Sequence, residues 1–267
     1  MVFAYAERPG VVRVHWFISS FSPNRIGDLY SLKDMIKKIA GGRINHILCA
    51  AFYVLLNVVL MIGSAQSAGE KFVIAQVQYD GGGDWYGDQT TISNWLKILG
   101  TRTDIEAAKE RVIVKLTDRN LYQYPMLYIV GHGNIRFSKE EVEALRFYLT
   151  HGGFLFVNDD YGLDESFRRE IRRVFPDQSL QPIPNSHLIY HCFYDFPNGL
   201  PKIHEHDGEP AQGLGLFHDG RMVVYYVYSS DIGDGLEDPK VHPKDTPQVR
   251  ELAAKMAVNI AVYVLTH

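Results

Sequence analysis

Short apolar runs alternate with longer amphipathic segments through most of the chain. Met126 to Val130 and Phe154 to Val157 are unbroken apolar runs, a pattern typical of strands buried on both faces. Between them, Ser138 and Glu141 form a capping box that begins a helix, and Gly152 supplies a left-handed stop. Two buried strands joined by a helix of this length predict a right-handed βαβ unit with a parallel sheet.

The same patterns continue on both sides of this unit. An irregular region with several prolines, residues 176–213, predicts a long loop over the sheet edge. Four arginines of one helix, Arg168, Arg169, Arg172 and Arg173, are expected on a solvated face. The further predicted strands span 72–79, 112–116, 214–217 and 222–228, and the further helices span 91–100, 164–175 and 246 to the end. This alternation predicts an α/β domain, a three-layer sandwich with a mainly parallel central sheet.

Polar side chains follow four of the predicted strands at the point where each ends. These stretches are Asp80 to Trp85, Gly131-His132-Gly133, Asn158-Asp159-Asp160 and Ser229-Ser230-Asp231. In an open parallel sheet, ligands bind in the crevice beyond the carboxyl ends of the strands. We therefore expect these four stretches to meet at one edge and to form a site.

The amino-terminal segment has a different pattern. Residues 47–62 form an almost unbroken apolar run, preceded by Lys37, Lys38 and Arg43 and followed by small residues at 63–68. A basic flank, an apolar centre and a small-residue exit are typical of a secretory signal. The alternative is a membrane anchor, although the run is short for a span of about 20 residues. In both cases the basic flank stays inside and the remainder is exported.

These observations divide the chain into three parts. Residues 1–34 are an extension of unclear status, with two alternatives. Translation could start at Met35, which would give the signal a normal length, or residues 1–34 could be a cytoplasmic extension of the protein. Residues 35–70 are the signal peptide or membrane anchor, and residues 71–267 form a single α/β domain. We expect that domain outside the cytoplasm, either periplasmic or membrane-anchored through residues 47–62.

Charge and cysteine content narrow the function classes. The first 70 residues hold seven basic and four acidic residues, so the remainder holds 20 Lys plus Arg against 27 Asp plus Glu, a net charge near −7. This balance argues against nucleic acid and anionic membrane surfaces as partners. Cys49 lies inside the apolar run and Cys192 is alone in the predicted domain, so the domain has no disulfide framework.

Several short motifs occur in a distinctive order from about Phe72 to the end of the chain. They are Gly82-Gly83-Asp84-Trp85-Tyr86, Tyr124-Pro125, Gly131-His132-Gly133, Gly152-Gly153-Phe154-Leu155, Asp159-Asp160, Phe175-Pro176, His187, Tyr190 and Asn259. In these motifs the chain resembles the bacterial family known as domain of unknown function 4159. The resemblance implies a flavodoxin-like fold related to the class I glutamine amidotransferase superfamily. It also implies proximity to membrane proteins with von Willebrand type A domains, and it implies no particular reaction.

The superfamily relation can be tested against the residues. A glutamine amidotransferase needs a cysteine nucleophile on a tight turn between a strand and a helix. None of the predicted strand ends carries a cysteine, and Cys192 falls in the irregular region. No Gly-x-Ser-x-Gly motif replaces it. Glutamine hydrolysis is therefore not expected.

Carboxylates, histidines and one aromatic residue make up the predicted ligand-binding site: Asp84, Trp85, Asp88, His132, Asp159, Asp160, His187 and Asp231. Trp85, with Tyr86 and Tyr161, would supply flat apolar faces beside hydrogen-bonding carboxylates, a combination suited to sugars or peptides. If the groups converge, His132 with Asp84 and Asp159 could perform acid and base chemistry on a hydrolysable bond.

Metal ligation and purely structural roles are the alternatives for these residues. The spacing matches no recognised metal signature, so no cofactor is predicted, and a divalent metal is kept as an alternative. Asp159 or Asp164 could simply cap the next helix. The segment His204-Glu205-His206-Asp207 has residue types that could bind a metal ion, but we expect it to be exposed in a polar turn.

The sequence thus predicts an exported, membrane-tethered α/β domain with a polar pocket at the carboxyl edge of its sheet. Its expected partner is a small polar ligand, a glycan or a protein segment of the cell envelope. A non-catalytic binding or assembly module is the first hypothesis, because a nucleophile is missing. A hydrolase that uses the His/Asp cluster, with or without a metal, is the second.

Overall fold

The structure is a computed structural model, and it describes residues 5–8, 11–13, 71–204, 206 and 208–267. The chain divides into two compact units, residues 1–70 and Lys71–His267. In the first unit, β1 (Tyr5–Arg8) pairs antiparallel with β2 (Val11–Arg13). The predicted signal or anchor at 47–62 lies outside the described residues. Among the described residues, none of the helices has the length and apolarity needed for a membrane span.

The second unit alternates strands and helices as the sequence predicts. Its elements in chain order are β3 (Ile74–Val77), α1 (Thr91–Arg102), β4 (Val112–Val114), β5 (Met126–Ile129), α2 (Lys139–Thr150), β6 (Phe154–Asn158), α3 (Asp164–Val174), β7 (Gln181–Pro182), β8 (Gln212–His218), β9 (Arg221–Tyr228), α4 (Ile232–Leu236) and α5 (Pro247–Thr266). Two short 3-10 turns span Leu121–Gln123 and Leu188–Tyr190. The mainly parallel α/β architecture is confirmed.

One seven-stranded sheet runs through this unit in the order β4-β3-β5-β6-β9-β8-β7. The five strands β4, β3, β5, β6 and β9 are each parallel to the next in this order. In contrast, β8 is antiparallel to both of its neighbours, β9 and β7. Because β3, β5, β6 and β9 are adjacent and parallel, their carboxyl ends share one edge of the sheet. This edge carries all four polar stretches noted in the sequence.

Helices cover both faces of the sheet. On one face, Trp95 of α1 and Met256 of α5 pack with Tyr128 and Phe156 of the central strands. On the other face, helices α2 and α3 contribute apolar side chains to a second cluster with Leu127 and its neighbours. Consecutive strand residues point to opposite faces, so a strand covered on both sides is apolar throughout. This explains the unbroken apolar runs of β5 and β6.

Several element boundaries follow local rules. Ser138 accepts a hydrogen bond from the Glu141 backbone at 3.1 Å and the Glu141 carboxylate accepts one from the Ser138 backbone at 2.7 Å, which confirms the capping box. Gly152 has φ +106°, as its predicted role as a left-handed stop requires. The predicted stop of α1 at Gly100 is wrong, because the helix continues to Arg102. A glycine inside a helix costs about 1 kcal/mol relative to alanine, which the packing of the helix readily offsets.

Asn259 of α5 holds the irregular region against the sheet. Its side chain is fully buried, accepts a hydrogen bond from the Tyr194 backbone at 2.7 Å, and donates to Ile189 O at 2.9 Å and Tyr194 O at 2.8 Å. The part of the loop that follows crosses to the site edge, where Ile203 and His204 both donate to Ser230 O. This long loop therefore reaches the carboxyl ends of the strands.

Candidate functional site

His132 and Asp84 form a close pair at the carboxyl edge. His132 Nδ1 lies 3.1 Å from Asp84 Oδ2, and the His132 backbone donates a hydrogen bond to Asp84 Oδ1. Gly131 makes this approach possible, because it has φ +131° and a Cβ there would lie 2.9 Å from Asp84. The His132 side chain is 56% exposed, so it faces solvent at the mouth of the site.

Two arginines of α3 anchor the loop that carries His132. Arg169 donates to Ile135 O at 2.6 Å and to Asn134 Oδ1 at 3.0 Å, and Arg173 donates to Phe137 O at 2.7 Å. Both side chains are exposed, as the predicted solvated face requires, and they hold this loop as well. Their guanidinium groups satisfy loop backbone carbonyls that no strand partner satisfies.

Three carboxylates from three different loops converge beneath this pair. Asp88, Asp160 and Asp231 each present an oxygen within 4.8 Å of the others. Asn158 holds two of them, because its amide donates to Asp160 Oδ1 at 2.7 Å and to Asp231 Oδ1 at 2.8 Å. Asp160 and Asp231 are buried. The spacing is about twice a metal–oxygen bond of roughly 2.1–2.4 Å, so a single cation could contact all three.

Asp160 is the least satisfied member of this cluster. Its Oδ2 is buried, and none of the described residues donates a hydrogen bond to it. The nearest ionisable nitrogen is Nδ1 of His132, at 4.0 Å. Burial, followed by the charges of Asp88 and Asp231, raises the pKa of Asp160 well above its usual value. Burial and the Asp231 carboxylate likewise raise the pKa of Asp88.

The backbone is strained where these carboxylates are placed. Asp88 has φ 50°, Ser229 has φ 51° and Asp231 has φ 60°. Each non-glycine residue in this region costs on the order of 1 kcal/mol and persists only where the surroundings enforce it. Three of the four such residues found among the described ones lie at this edge. Strain concentrated in this way is typical of a functional site.

A fourth carboxylate and a histidine extend the cluster. Asp234, at the start of α4, is buried, and its backbone donates to Asp231 Oδ1 at 3.0 Å. His206 Nε2 lies 3.0 Å from Asp231 Oδ2, and this hydrogen bond raises the pKa of His206. Burial and the neighbouring Asp231 raise the pKa of Asp234 to about 10.

Two further histidines complete the site on its far side. His242 Nε2 lies 3.1 Å from Asp234 Oδ1, and His204 Nε2 lies 3.9 Å from Asp234 Oδ2. The other ring nitrogen of His204, Nδ1, lies 2.9 Å from the Asp245 carboxylate. In the part of the chain that the structure describes, the basic nitrogens within 4.0 Å of the Asp160, Asp231 and Asp234 carboxyl groups belong to histidines and not to arginine or lysine.

His204 and His206 correct an expectation from the sequence. Their side chains are 23% and 20% exposed, and both turn inward to the carboxylates, so the prediction that they are exposed in a polar turn is wrong. The physical reason is that the His204 backbone donates to Ser230 O, just beyond β9, at 2.9 Å, while the His206 side chain bonds to Asp231. The sequence shows the histidines but not the direction in which the loop travels.

A small cavity opens beside the cluster. It has a volume of about 220 Å³, and its polar and aromatic lining includes Asp159, Tyr161, Asp164, His206 and Tyr228. Tyr161 is 53% exposed and stacks on His206, with ring centroids 5.3 Å apart. The cavity is below the roughly 300 Å³ of a pocket for a drug-sized ligand, so its occupant would be small.

Asp159 turns away from the carboxylate cluster. Its Oδ1 accepts a hydrogen bond from the Leu163 backbone at 2.9 Å, and its Oδ2 accepts one from the Tyr226 hydroxyl at 3.2 Å. It therefore holds the turn that leads into α3 and also lines the cavity. The interpretation of Asp159 or Asp164 as the cap is wrong, because the N-cap of α3 is Leu163 and no side chain caps it. Asp160, its neighbour, is the carboxylate that approaches His132.

Two other predicted site residues have different surroundings. Trp85 is half-buried, with its ring 5.7 Å from that of Tyr86. His187 accepts a hydrogen bond from the Ile189 backbone and packs against the rings of Phe217 and Tyr263. Phe217 pairs with Met222 near the first residue of β9, which places His187 at the opposite edge of the sheet. The structure does not bring His187 together with the other candidates.

Three residues of the site were not singled out from the sequence: Asp234, His242 and Asp245. Asn158 belongs to a predicted stretch, but its role as the bridge between two carboxylates was not predicted. Asp234 is three residues after Asp231, in a short helix that carries two glycines. That spacing places both carboxylates on one turn, a signal that the sequence does contain. His242 and Asp245 lie in an irregular segment, and no local pattern marks them.

Fold and site together define an α/β domain with a cluster of buried carboxylates and histidines at the carboxyl edge of its sheet. The chain belongs to the family described as Domain of unknown function (DUF4159), whose family model matches residues 73–265. The match covers nearly all of the second unit, and the resemblance seen in the sequence motifs is thereby confirmed at the level of the family. A comparison with curated proteins finds no match to the chain.

Proposed function

We propose that this domain binds a divalent metal ion through Asp88, Asp160 and Asp231 and uses it to hold a small polar ligand in the adjacent cavity. The observation that carries the proposal is Asp160 Oδ2, a buried carboxylate oxygen without a hydrogen-bond donor among the described residues. A buried carboxyl oxygen without a partner is costly, and metal coordination is one of the few ways to satisfy it.

The donor set indicates which ions fit. Three carboxylates are hard oxygen ligands, which suit Mg²⁺, Mn²⁺ or Ca²⁺. The strained backbone at Asp88 and Asp231 and the amide of Asn158 hold these oxygens in place before any ion binds. The ion would anchor a polar group of the ligand, while Tyr161 and Tyr228 in the cavity offer aromatic faces suited to a sugar ring.

Metal titration tests the proposal directly. The full-length protein, freed of metal with EDTA, should bind about one equivalent of Mn²⁺ in isothermal titration calorimetry. Asp160→Asn keeps the size of the side chain and removes its charge, so affinity should fall at least tenfold, about 1.4 kcal/mol. Asp177→Asn, an exposed carboxylate on the surface, is the control and should bind as the unmodified protein does. Equal Mn²⁺ affinity in Asp160→Asn and the unmodified protein would contradict the proposal.

Hydrolysis is the second candidate function, and the His132–Asp84 pair favours it. Asp84 can orient the His132 ring beside the cluster, where the histidine could act as a general base. In such a reaction the oxygen of a water molecule forms a bond to the electrophilic atom of the substrate and gives a proton to His132. The bond to the leaving group breaks, and that group receives the proton.

A substrate panel separates binding from hydrolysis. Chromogenic esters, phosphate mono- and diesters and glycosides would be assayed with Mn²⁺ present. A hydrolase should turn over at least one class, and His132→Ala should lower kcat by about 10²–10⁴-fold because a general base is lost. His151→Gln, an exposed histidine of the α2 end, is the control. If no class of substrate is turned over while Mn²⁺ is bound, hydrolysis is contradicted and binding is the function that the site supports.

We also propose that the domain is related to flavodoxin-like folds. The order β4-β3-β5-β6 is 2-1-3-4 when counted from the first strand of the domain, which is how the flavodoxin-like sheet order begins. We therefore place the domain with flavodoxin-like folds and, by the resemblance, near the class I glutamine amidotransferase superfamily. Cys192 supports the loss of amidotransferase chemistry, since its Sγ lies 3.2 Å from Asn259 O and away from the site edge.

The cellular setting follows from the amino-terminal pattern. We propose that residues 35–70 export the domain and that it acts at the cell envelope, on a glycan or a protein segment there, with residues 47–62 as its membrane anchor if they are not cleaved. Amino-terminal sequencing of the mature protein and fractionation of expressing cells would test this. Recovery of the intact chain in the cytoplasmic fraction would contradict it.

A further inference from the structure

We infer that the site holds a second metal ion, coordinated by His204, His242 and Asp234. One ring nitrogen from each histidine and one carboxylate oxygen lie within 4.8 Å of one another. The three ligands differ from those of the oxygen site, so this inference goes beyond the proposed function and can fail or succeed separately from it.

The second contact of His204 supports the assignment. Its Nδ1 lies 2.9 Å from Asp245 Oδ1, which leaves Nε2 directed to Asp234. A histidine that binds a metal usually has its other nitrogen hydrogen-bonded to a carboxylate or a carbonyl, because this fixes the ring and makes the ligand more basic. The remaining Asp245 oxygen is buried, and among the described residues it has no hydrogen-bond partner. The surroundings of His204 are thus those of a metal ligand.

The ligand types indicate a different ion from that of the oxygen site. Two imidazoles and one carboxylate are borderline donors, which favour Zn²⁺, Co²⁺ or Fe²⁺ over Mg²⁺ or Ca²⁺. Three protein ligands leave a coordination position open for water or a ligand, as is usual for metal sites that act on a bound molecule.

His206 and the two carboxylates link the two positions. His206, Asp231 and Asp234 form a third group within 4.8 Å, which shares Asp231 with the oxygen site and Asp234 with the histidine site. Where a protein holds two metal ions next to each other, the pair commonly binds two oxygens of one substrate group. The ligand class that fits such a pair is a small molecule with a phosphate, carboxylate or vicinal diol group.

Cobalt binding tests the inference, because Co²⁺ absorption in the visible range reports nitrogen ligation. The full-length, EDTA-treated protein should take up two equivalents of Co²⁺ in equilibrium dialysis, and its spectrum should show the intense bands of a low-coordinate histidine site. His204→Gln and His242→Gln should each lose one equivalent together with those bands. Asp160→Asn should keep the bands, and His151→Gln should change neither quantity.

The outcomes distinguish the two proposals. Unchanged stoichiometry and bands in both histidine variants would overturn the histidine site, whatever Asp160→Asn does. Loss of Mn²⁺ binding in Asp160→Asn with one equivalent of Co²⁺ in the unmodified protein would support the oxygen site alone and overturn the second ion. Thermal unfolding of each metal-free variant shows whether it is folded, and the spectrum of the unmodified protein provides a test that needs no variant. A spectrum that shows only weak octahedral bands would also overturn the inference.

Discussion

Gly233 lies so close to Asp88 that a methyl group at position 233 would overlap the Asp88 carboxylate. The Tyr128 hydroxyl, which would lie 2.9 Å from that methyl group, donates to Asp88 Oδ2 at 3.3 Å. The carboxylate is therefore held between a glycine of α4 and a hydroxyl of β5, in the position from which it meets Asp160 and Asp231. The Asp88 carboxylate can occupy this position because residue 233 is a glycine and has no side chain.

Replacement of this glycine should therefore weaken the oxygen site without unfolding the domain. In Gly233→Ala the new methyl group displaces the far end of the Asp88 side chain, so we expect Mn²⁺ affinity to fall about tenfold, or about 1.4 kcal/mol, in calorimetry. Gly100→Ala is the matched control, because a Cβ there meets no atom within 4 Å. It should leave binding unchanged and raise the free energy of unfolding by about 0.5–1 kcal/mol. Unaltered Mn²⁺ affinity in Gly233→Ala would show that Asp88 is not a ligand.

The carboxylate cluster should destabilise the protein when no metal is bound. Asp160→Asn removes one of several carboxyl groups that are crowded together and raise the pKa of one another, so the metal-free variant should gain about 1 kcal/mol in free energy of unfolding. The same variant should lose most of the increase in Tm that Mn²⁺ gives the unmodified protein. Chemical denaturation in EDTA and thermal unfolding with added Mn²⁺ measure the two effects. A metal-free variant less stable than the unmodified protein would contradict this.

Asn259 should be one of the most sensitive positions of α5. Asn259→Ala leaves the Tyr194 backbone donor and two carbonyl acceptors without their partner in a buried place, which should cost about 3 kcal/mol of unfolding free energy. Urea denaturation gives the value, and Gln248→Ala on the exposed side of the same helix should change it by less than about 0.5 kcal/mol. A loss near that of the control would mean that the loop does not depend on this anchor.

Cys192 should be unreactive in the native protein. Burial raises the pKa of its thiol to about 12, so at pH 8 it is almost entirely in the protonated form, which is a poor nucleophile. Iodoacetamide labelling at pH 8, followed by mass spectrometry of the peptide that contains Cys192, should give little modification. Labelling in urea should be complete. Rapid native labelling would indicate an exposed thiolate and would reopen a nucleophilic role for this residue.

The sequence alone determined most of the secondary structure, except for β7 and α4, and the edge of the sheet at which the candidate site lies. Ser138 and Glu141 are local partners three residues apart, so the start of α2 needs no tertiary contact. The unbroken apolar runs of β5 and β6 require burial on both faces, and this fixes parallel strands and helices on both sides. Because parallel neighbours end at one edge, the sequence alone assigns His132, Asp160 and Asp231 to a common edge.

Only the tertiary structure decided which of these side chains meet, and what joins them. Asp159 and Asp160 are adjacent in the chain, yet one supports α3 and the other points into the carboxylate cluster, because successive residues at a strand end face opposite sides. His187 and His204 both belong to the same irregular region, yet they lie at opposite edges of the sheet. A loop without periodicity carries no local signal of its path, so the contacts of His204 and His242 with Asp234 depend on packing between segments distant in sequence.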